Sequence, residues 1–121
     1  MKEILTKLPA RTSKPREHGL TMMMDKGLSL RQAEDFLSLN CKYTDIIKLG
    51  FGTSIITPNI TEKISLYKEN GVLVYPGGTL FEIFLIRDQL DDYKKCRQGD
   101  QCCCHYQNYP WVSHYYPSSA A

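Results

Sequence analysis

Three short segments of this 121-residue chain set glycine beside charged and hydroxyl-bearing residues. They are Asp25-Lys26-Gly27, Lys48-Leu49-Gly50-Phe51-Gly52-Thr53-Ser54 and Pro76-Gly77-Gly78-Thr79, the last followed by Glu82. Glycine lets a backbone come close to a ligand, and backbone N–H groups with Thr or Ser hydroxyls at a helix N-terminus suit phosphate or sulfonate oxygens. Lys26 and Lys48 add positive charge. Each residue also has an ordinary use: glycine as a turn, Lys26 as a solvated side chain, Glu82 as a helix cap. Three consecutive segments of one character weigh toward binding for the set. The Gly-Phe-Gly-Thr-Ser run matches neither a Walker loop nor a full dinucleotide fingerprint.

The elements that must position these segments follow from the apolar pattern. Leu20 to Met24, Thr44 to Leu49 and Val72 to Tyr75 read as strands. Between the first two, Ser29 and Gln32 are spaced as a capping box, and Leu30, Ala33 and Leu37 share one helical face. After the second strand, Thr57 and Pro58 predict a helix start, with Ile60, Ile64 and Tyr67 in period and Gly71 as the stop. After the third, Thr79 and Glu82 predict another capping box, with a break near Arg87 and Asp88. The order βαβαβα predicts a parallel sheet covered by helices, in which the glycine-rich segments all fall at strand C-termini. Chemistry gathers at that end in both doubly wound sheets and barrels.

Composition narrows the rest. A formal charge of +2 without a basic patch argues against nucleic acid. The N-terminus lacks the apolar stretch of a signal peptide and no segment is apolar enough to span a membrane, so the expectation is cytoplasmic. Five cysteines, four of them within residues 96–104, do not suit a disulfide framework.

Three longer stretches, KPREHGLTMMMDKGLSL (14 to 30), DIIKLGFGTSII (45 to 56) and NGVLVYPGGTLFEI (70 to 83), resemble the opening of the phosphosulfolactate synthase (ComA) family. The resemblance runs from Lys14 to Cys96. It implies a (β/α)8 TIM barrel and a magnesium-dependent carbon–sulfur lyase that joins sulfite to phosphoenolpyruvate, on the way to coenzyme M or sulfolactate. It implies Asp25 and Glu82 as magnesium ligands, Lys26 and Lys48 as catalytic cations, and Arg16, Gly52, Thr53, Ser54, Gly77, Gly78 and Thr79 as substrate contacts. Small anions are then the partners, and a homo-oligomer stays open.

Residues 1–98 carry these βα units, and residues 99–121 read as an irregular tail. A TIM barrel takes about 250 residues, so the expectation is a partial barrel of about three units, inactive as it stands. Cys102, Cys103, Cys104, His105 and His114 have zinc-ligand types but not zinc-ligand spacing. A shift of one base would turn Cys102 to Cys104 into Ala or Val and Asp100 and His105 into Ile or Thr, a credible strand, so the tail reads as a frameshift product. A rival reading is a non-catalytic protein that docks through the half-barrel and its aromatic tail.

Overall fold

The computed structural model describes residues 4–98, with side chains to residue 95. Eight elements follow in order: β1 (Met22–Asp25), α1 (Leu30–Asn40), β2 (Ile46–Leu49), α2 (Thr53–Ile56), α3 (Ile60–Glu69), β3 (Leu73–Pro76), α4 (Gly78–Ile86) and α5 (Leu90–Gln98). The strands form one parallel sheet in the order β1-β2-β3. This is the mixed α/β architecture expected, as a three-stranded piece. The readings of the tail, zinc site and frameshift alike, lie outside the described residues.

The expected capping box of α1 is formed. The Gln32 backbone N–H donates to Ser29 Oγ at 3.2 Å and the Ser29 N–H donates to Gln32 Oε1 at 2.9 Å. Ala33 and Leu37 then face inward, with Leu30 half-buried. They meet Ile47, Leu49, Val72 and Val74 from the sheet and Ile64 and Tyr67 from α3, making one core on one side of the sheet.

The strands start one or two residues later than their apolar runs, because the backbone just before each is already engaged. The Thr21 N–H donates to the Asp45 carboxylate at 2.8 Å, and the Val72 N–H donates to Tyr67 O at the end of α3. Two expected helix starts are corrected. Thr57 closes the single turn of α2, donating its hydroxyl to Thr53 O, and α3 begins after Asn59, whose φ is 57°. Helix α4 starts after Gly77, two residues ahead of the predicted cap, so Thr79 sits inside its first turn and no Thr79–Glu82 box forms. The break at Arg87 and Asp88 is present, Asp88 having a φ of 56°.

Alternation along the strands gives the opposite sheet face a defined content. Met22, Ile46 and Leu73 are aligned in one row across it, and Met24, Lys48 and Tyr75 in the next. Met22 is 51% and Met24 38% exposed, so this face is partly open. At the other end of the strands, Arg16 donates to Asp45 Oδ1 at 2.6 Å, to Thr12 O and to Lys42 O, tying the N-terminal segment to the entry of β2.

Candidate functional site

The C-terminal strand ends are joined by the ladder running on into glycine. The Gly50 N–H donates to Asp25 O and the Gly77 N–H to Leu49 O, each at 2.8 Å. The three expected loops therefore sit side by side. Lys26 Nζ stands 5.9 Å from the centre of the Phe51 ring, and a Cβ on Gly27 would touch Thr53 Cγ2 at 3.6 Å. Gly52, with φ at 70°, packs so closely that a Cβ would lie 3.0 Å from Ile83 of α4.

Lys48 projects from the middle strand on the open face and is half-buried, and its stem crosses Gly77. Among the described residues its ammonium has neither hydrogen bond nor ion pair. A Cβ on Gly77 would stand 2.9 Å from Lys48 Cε and 3.2 Å from Leu49 O, an oxygen held by its bond to the Gly77 N–H. Gly77→Ala is therefore expected to displace Lys48 and cost about 1–3 kcal/mol, the usual range for overpacking, measured by urea denaturation. Unchanged stability with an unmoved Lys48 would contradict that contact.

Gly78 and Thr79 lie in the first turn of α4, where the N-cap, a glycine, offers no side chain to their N–H groups. Thr53 spends its hydroxyl proton on Gly50 O at 2.8 Å. Its oxygen can still accept, but it does not donate to an anion in this arrangement. The Ser54 hydroxyl is half-buried beside it, on the single turn of α2.

Asp25 is fully buried at the end of β1. Its Oδ1 accepts the N–H groups of Gly27 and Leu28 at 2.8 and 2.7 Å, and its Oδ2 accepts the Tyr67 hydroxyl and the Lys63 ammonium, both at 2.9 Å. Burial pushes the carboxyl upward, but Lys63, the two amides and Tyr67 outweigh it and hold Asp25 below its ordinary range. Burial and then the Asp25 charge push the Tyr67 phenol far up.

These residues do not fit a magnesium centre. Both Asp25 oxygens are taken, one by a cation, and Glu82 is an exposed residue of α4. Among the described residues no three His, Cys, Asp or Glu side chains converge as a metal site. Arg16 is not brought to the strand ends either. Its partner Asp45 precedes β2, and Asp45 to Leu49 spans about 13 Å of extended chain.

Asp45 is also held below its ordinary range: burial raises it, while the Thr21 N–H and Arg16 lower it by more. For Asp25 and Asp45 the folded value lies below the ordinary 3.8, so their contribution is complete above that pH and lost as pH falls through the folded values. Urea midpoints are expected to be level from about pH 7 to pH 5 and to drop below about pH 4. A midpoint unchanged at about pH 3 would contradict both carboxylate assignments.

Lys63 and Tyr67 were not singled out as site residues by sequence. Tyr67 reads as one more position of the helical period, and Lys63 falls in none of the motifs. The only available signal is their i, i+4 spacing on the helix that carries Ile60 and Ile64.

The geometry can be set beside known proteins. The family model described as (2R)-phospho-3-sulfolactate synthase (ComA) matches residues 9–100. The chain is 40% identical over 87 residues to a phosphosulfolactate synthase of Methanothermobacter thermautotrophicus, covering 70% of this chain and 34% of that protein. It is 36% identical over 95 residues to that of Bacillus subtilis, covering 78% and 38%. Against that of Methanocaldococcus jannaschii it is 42% identical over 79 residues, covering 64% and 32%. The chain spans about a third of the length of these curated relatives. No described helix is long and apolar enough to cross a membrane.

Proposed function

Because the chain belongs to the (2R)-phospho-3-sulfolactate synthase (ComA) family, we propose that its strand ends form the anion-holding part of a phosphosulfolactate synthase. The observation that carries this is Lys48, a half-buried residue whose stem lies across Gly77 at the start of α4 and whose ammonium has no partner among the described residues.

In the proposed reaction the sulfur lone pair of sulfite attacks the terminal carbon of phosphoenolpyruvate. A carbon–sulfur bond forms, the alkene electrons move into the carboxylate as an enediolate, and a proton is then delivered to the adjacent carbon. Three anionic groups must be held together, which needs fixed positive charge and N–H donors at the site. Lys48 and Lys26 supply the charge, and the backbone N–H groups of Gly52, Gly78 and Thr79, with the Ser54 hydroxyl, supply donors, while Gly77, its own N–H held by Leu49 O, leaves room for the Lys48 stem. Magnesium dependence belongs to the same reading, as does a place in coenzyme M or sulfolactate synthesis. Among the described residues no set of carboxylate ligands for the metal converges.

The chain alone is expected to bind phosphoenolpyruvate without turnover. A titration followed by amide shifts on isotopically labelled protein tests the first half, with changes expected at the Gly50–Ser54 and Gly77–Thr79 loops. Lys48→Ala is expected to weaken binding about tenfold, the loss of one charge-assisted contact. Equal affinity in that variant would remove Lys48 from the site. Incubation with phosphoenolpyruvate, sulfite and magnesium, read for phosphosulfolactate, tests the second half. The partly open sheet face with Met22 and Met24 favours a second reading, a docking protein, for which stoichiometric partner binding without anion binding is the signature.

A further inference from the structure

We propose that Lys63 and Tyr67 are positioning residues of the strand-end site, holding the Asp25 carboxylate and through it the β1–α1 loop that carries Lys26, with the Lys63 ammonium as the counter-charge of Asp25. The functional half of this proposal rests on the anion-site reading; the geometric half does not.

Lys63 and Tyr67 are four residues apart on α3 and project from one face of it, with 1% and 0% exposure. Their common target is Oδ2 of Asp25, while Oδ1 takes the Gly27 and Leu28 amides. One oxygen thus grips the helix and the other grips the loop. Lys63 Nζ also donates to Leu28 O at 2.8 Å, so the backbone of Leu28 is held at both its N–H and its carbonyl. Lys26 lies between Asp25 and Gly27, both anchored, which fixes its Cα and leaves its side chain beside Phe51.

Packing alone does not account for this choice of residues. A buried ion pair is often matched or exceeded in stability by apolar side chains of similar volume. What apolar contacts cannot supply is direction, and here five directed bonds converge on one carboxylate and one loop peptide. A residue that must keep its ammonium within reach of a small anion needs its backbone set to a fraction of an ångström. A divalent cation at Asp25 would also stand against the Lys63 ammonium.

The test uses amide hydrogen exchange and phosphoenolpyruvate titration on the whole chain and on Tyr67→Phe, which keeps the ion pair and removes one hydrogen bond. Protection at Gly27 and Leu28 is expected to fall roughly fivefold to tenfold, with Ile47 and Leu49 unchanged, because only the local opening is made easier. Phosphoenolpyruvate affinity is expected to fall with it. Exchange that rises equally across the sheet, or not at all at Gly27 and Leu28, overturns positioning. Magnesium chloride alone is expected to leave the Gly27 and Leu28 amide shifts in place, and saturable shifts there would overturn Lys63 as the counter-charge. If the unmodified chain binds no phosphoenolpyruvate, the anion-site reading fails while the exchange comparison still decides positioning.

Discussion

Lys63→Met lowers the free energy of unfolding by about 3–5 kcal/mol at neutral pH, because it strands a buried carboxylate without its cation. Asp25 and Lys63 are 0% and 1% exposed, so water does not easily take the missing place. Small domains have only about 5–15 kcal/mol in total, and the variant should melt early in urea. The defect has its own pH dependence. Without Lys63, burial is opposed only by the Gly27 and Leu28 amides and Tyr67, so the Asp25 carboxyl moves up from its depressed value and the gap in stability between variant and parent narrows as acid protonates it. Asp25→Asn with Lys63→Met removes both charges, and its loss is expected to be smaller than the sum of the single losses. A single-variant loss under about 1 kcal/mol would mean that solvent reaches the cluster, and the sealed ion pair would be wrong.

Arg16→Ala is the second large effect, expected near 3 kcal/mol by the same reasoning, since Arg16 and Asp45 side chains are 3% and 7% exposed. It removes three anchors at once: the Asp45 ion pair and the bonds to Thr12 O and Lys42 O. Chemical denaturation measures the loss. Phosphoenolpyruvate affinity, measured at a temperature where the variant is folded, should match the parent. A selective loss of affinity with stability intact would return Arg16 to the substrate contacts that the sequence suggests.

Arg16 and Asp25 show where sequence legibility ends. Both lie in the stretch that resembles the family, and a charged residue in a glycine-rich motif reads naturally as a ligand contact. Their actual partners, Asp45 and Lys63, are 29 and 38 positions away, and nothing local announces such a pairing. The elements were more legible because their causes are local. The Ser29–Gln32 box and the Ala33–Leu37 face specify α1 within a dozen residues, and the three apolar runs specify the parallel strands. The starts of α3 and α4 were misplaced for an equally local reason. At α3 a single turn at Thr53–Ile56 used Thr57 as its end, and at α4 the Gly77 N–H had already turned back to Leu49 O.

The glycines at the strand ends were legible as a set, but their individual duties were not. Gly77 is small because Lys48 crosses it, and Gly52 because Ile83 does. Both reasons concern side chains that meet only after the sheet and helices have assembled.

The row of residues on the partly open sheet face gives the chain a chemical memory of its neighbours. Met22 and Met24 are both exposed residues there, Met22 accepting the Tyr75 hydroxyl at its sulfur. Thioethers in reach of peroxide become sulfoxides, which are polar and bulkier, so oxidation would turn an adhesive surface into a wetted one. Any polypeptide that comes to lie over those rows would shield both sulfurs, and the sulfoxide content of these two methionines would then record whether the face had been covered.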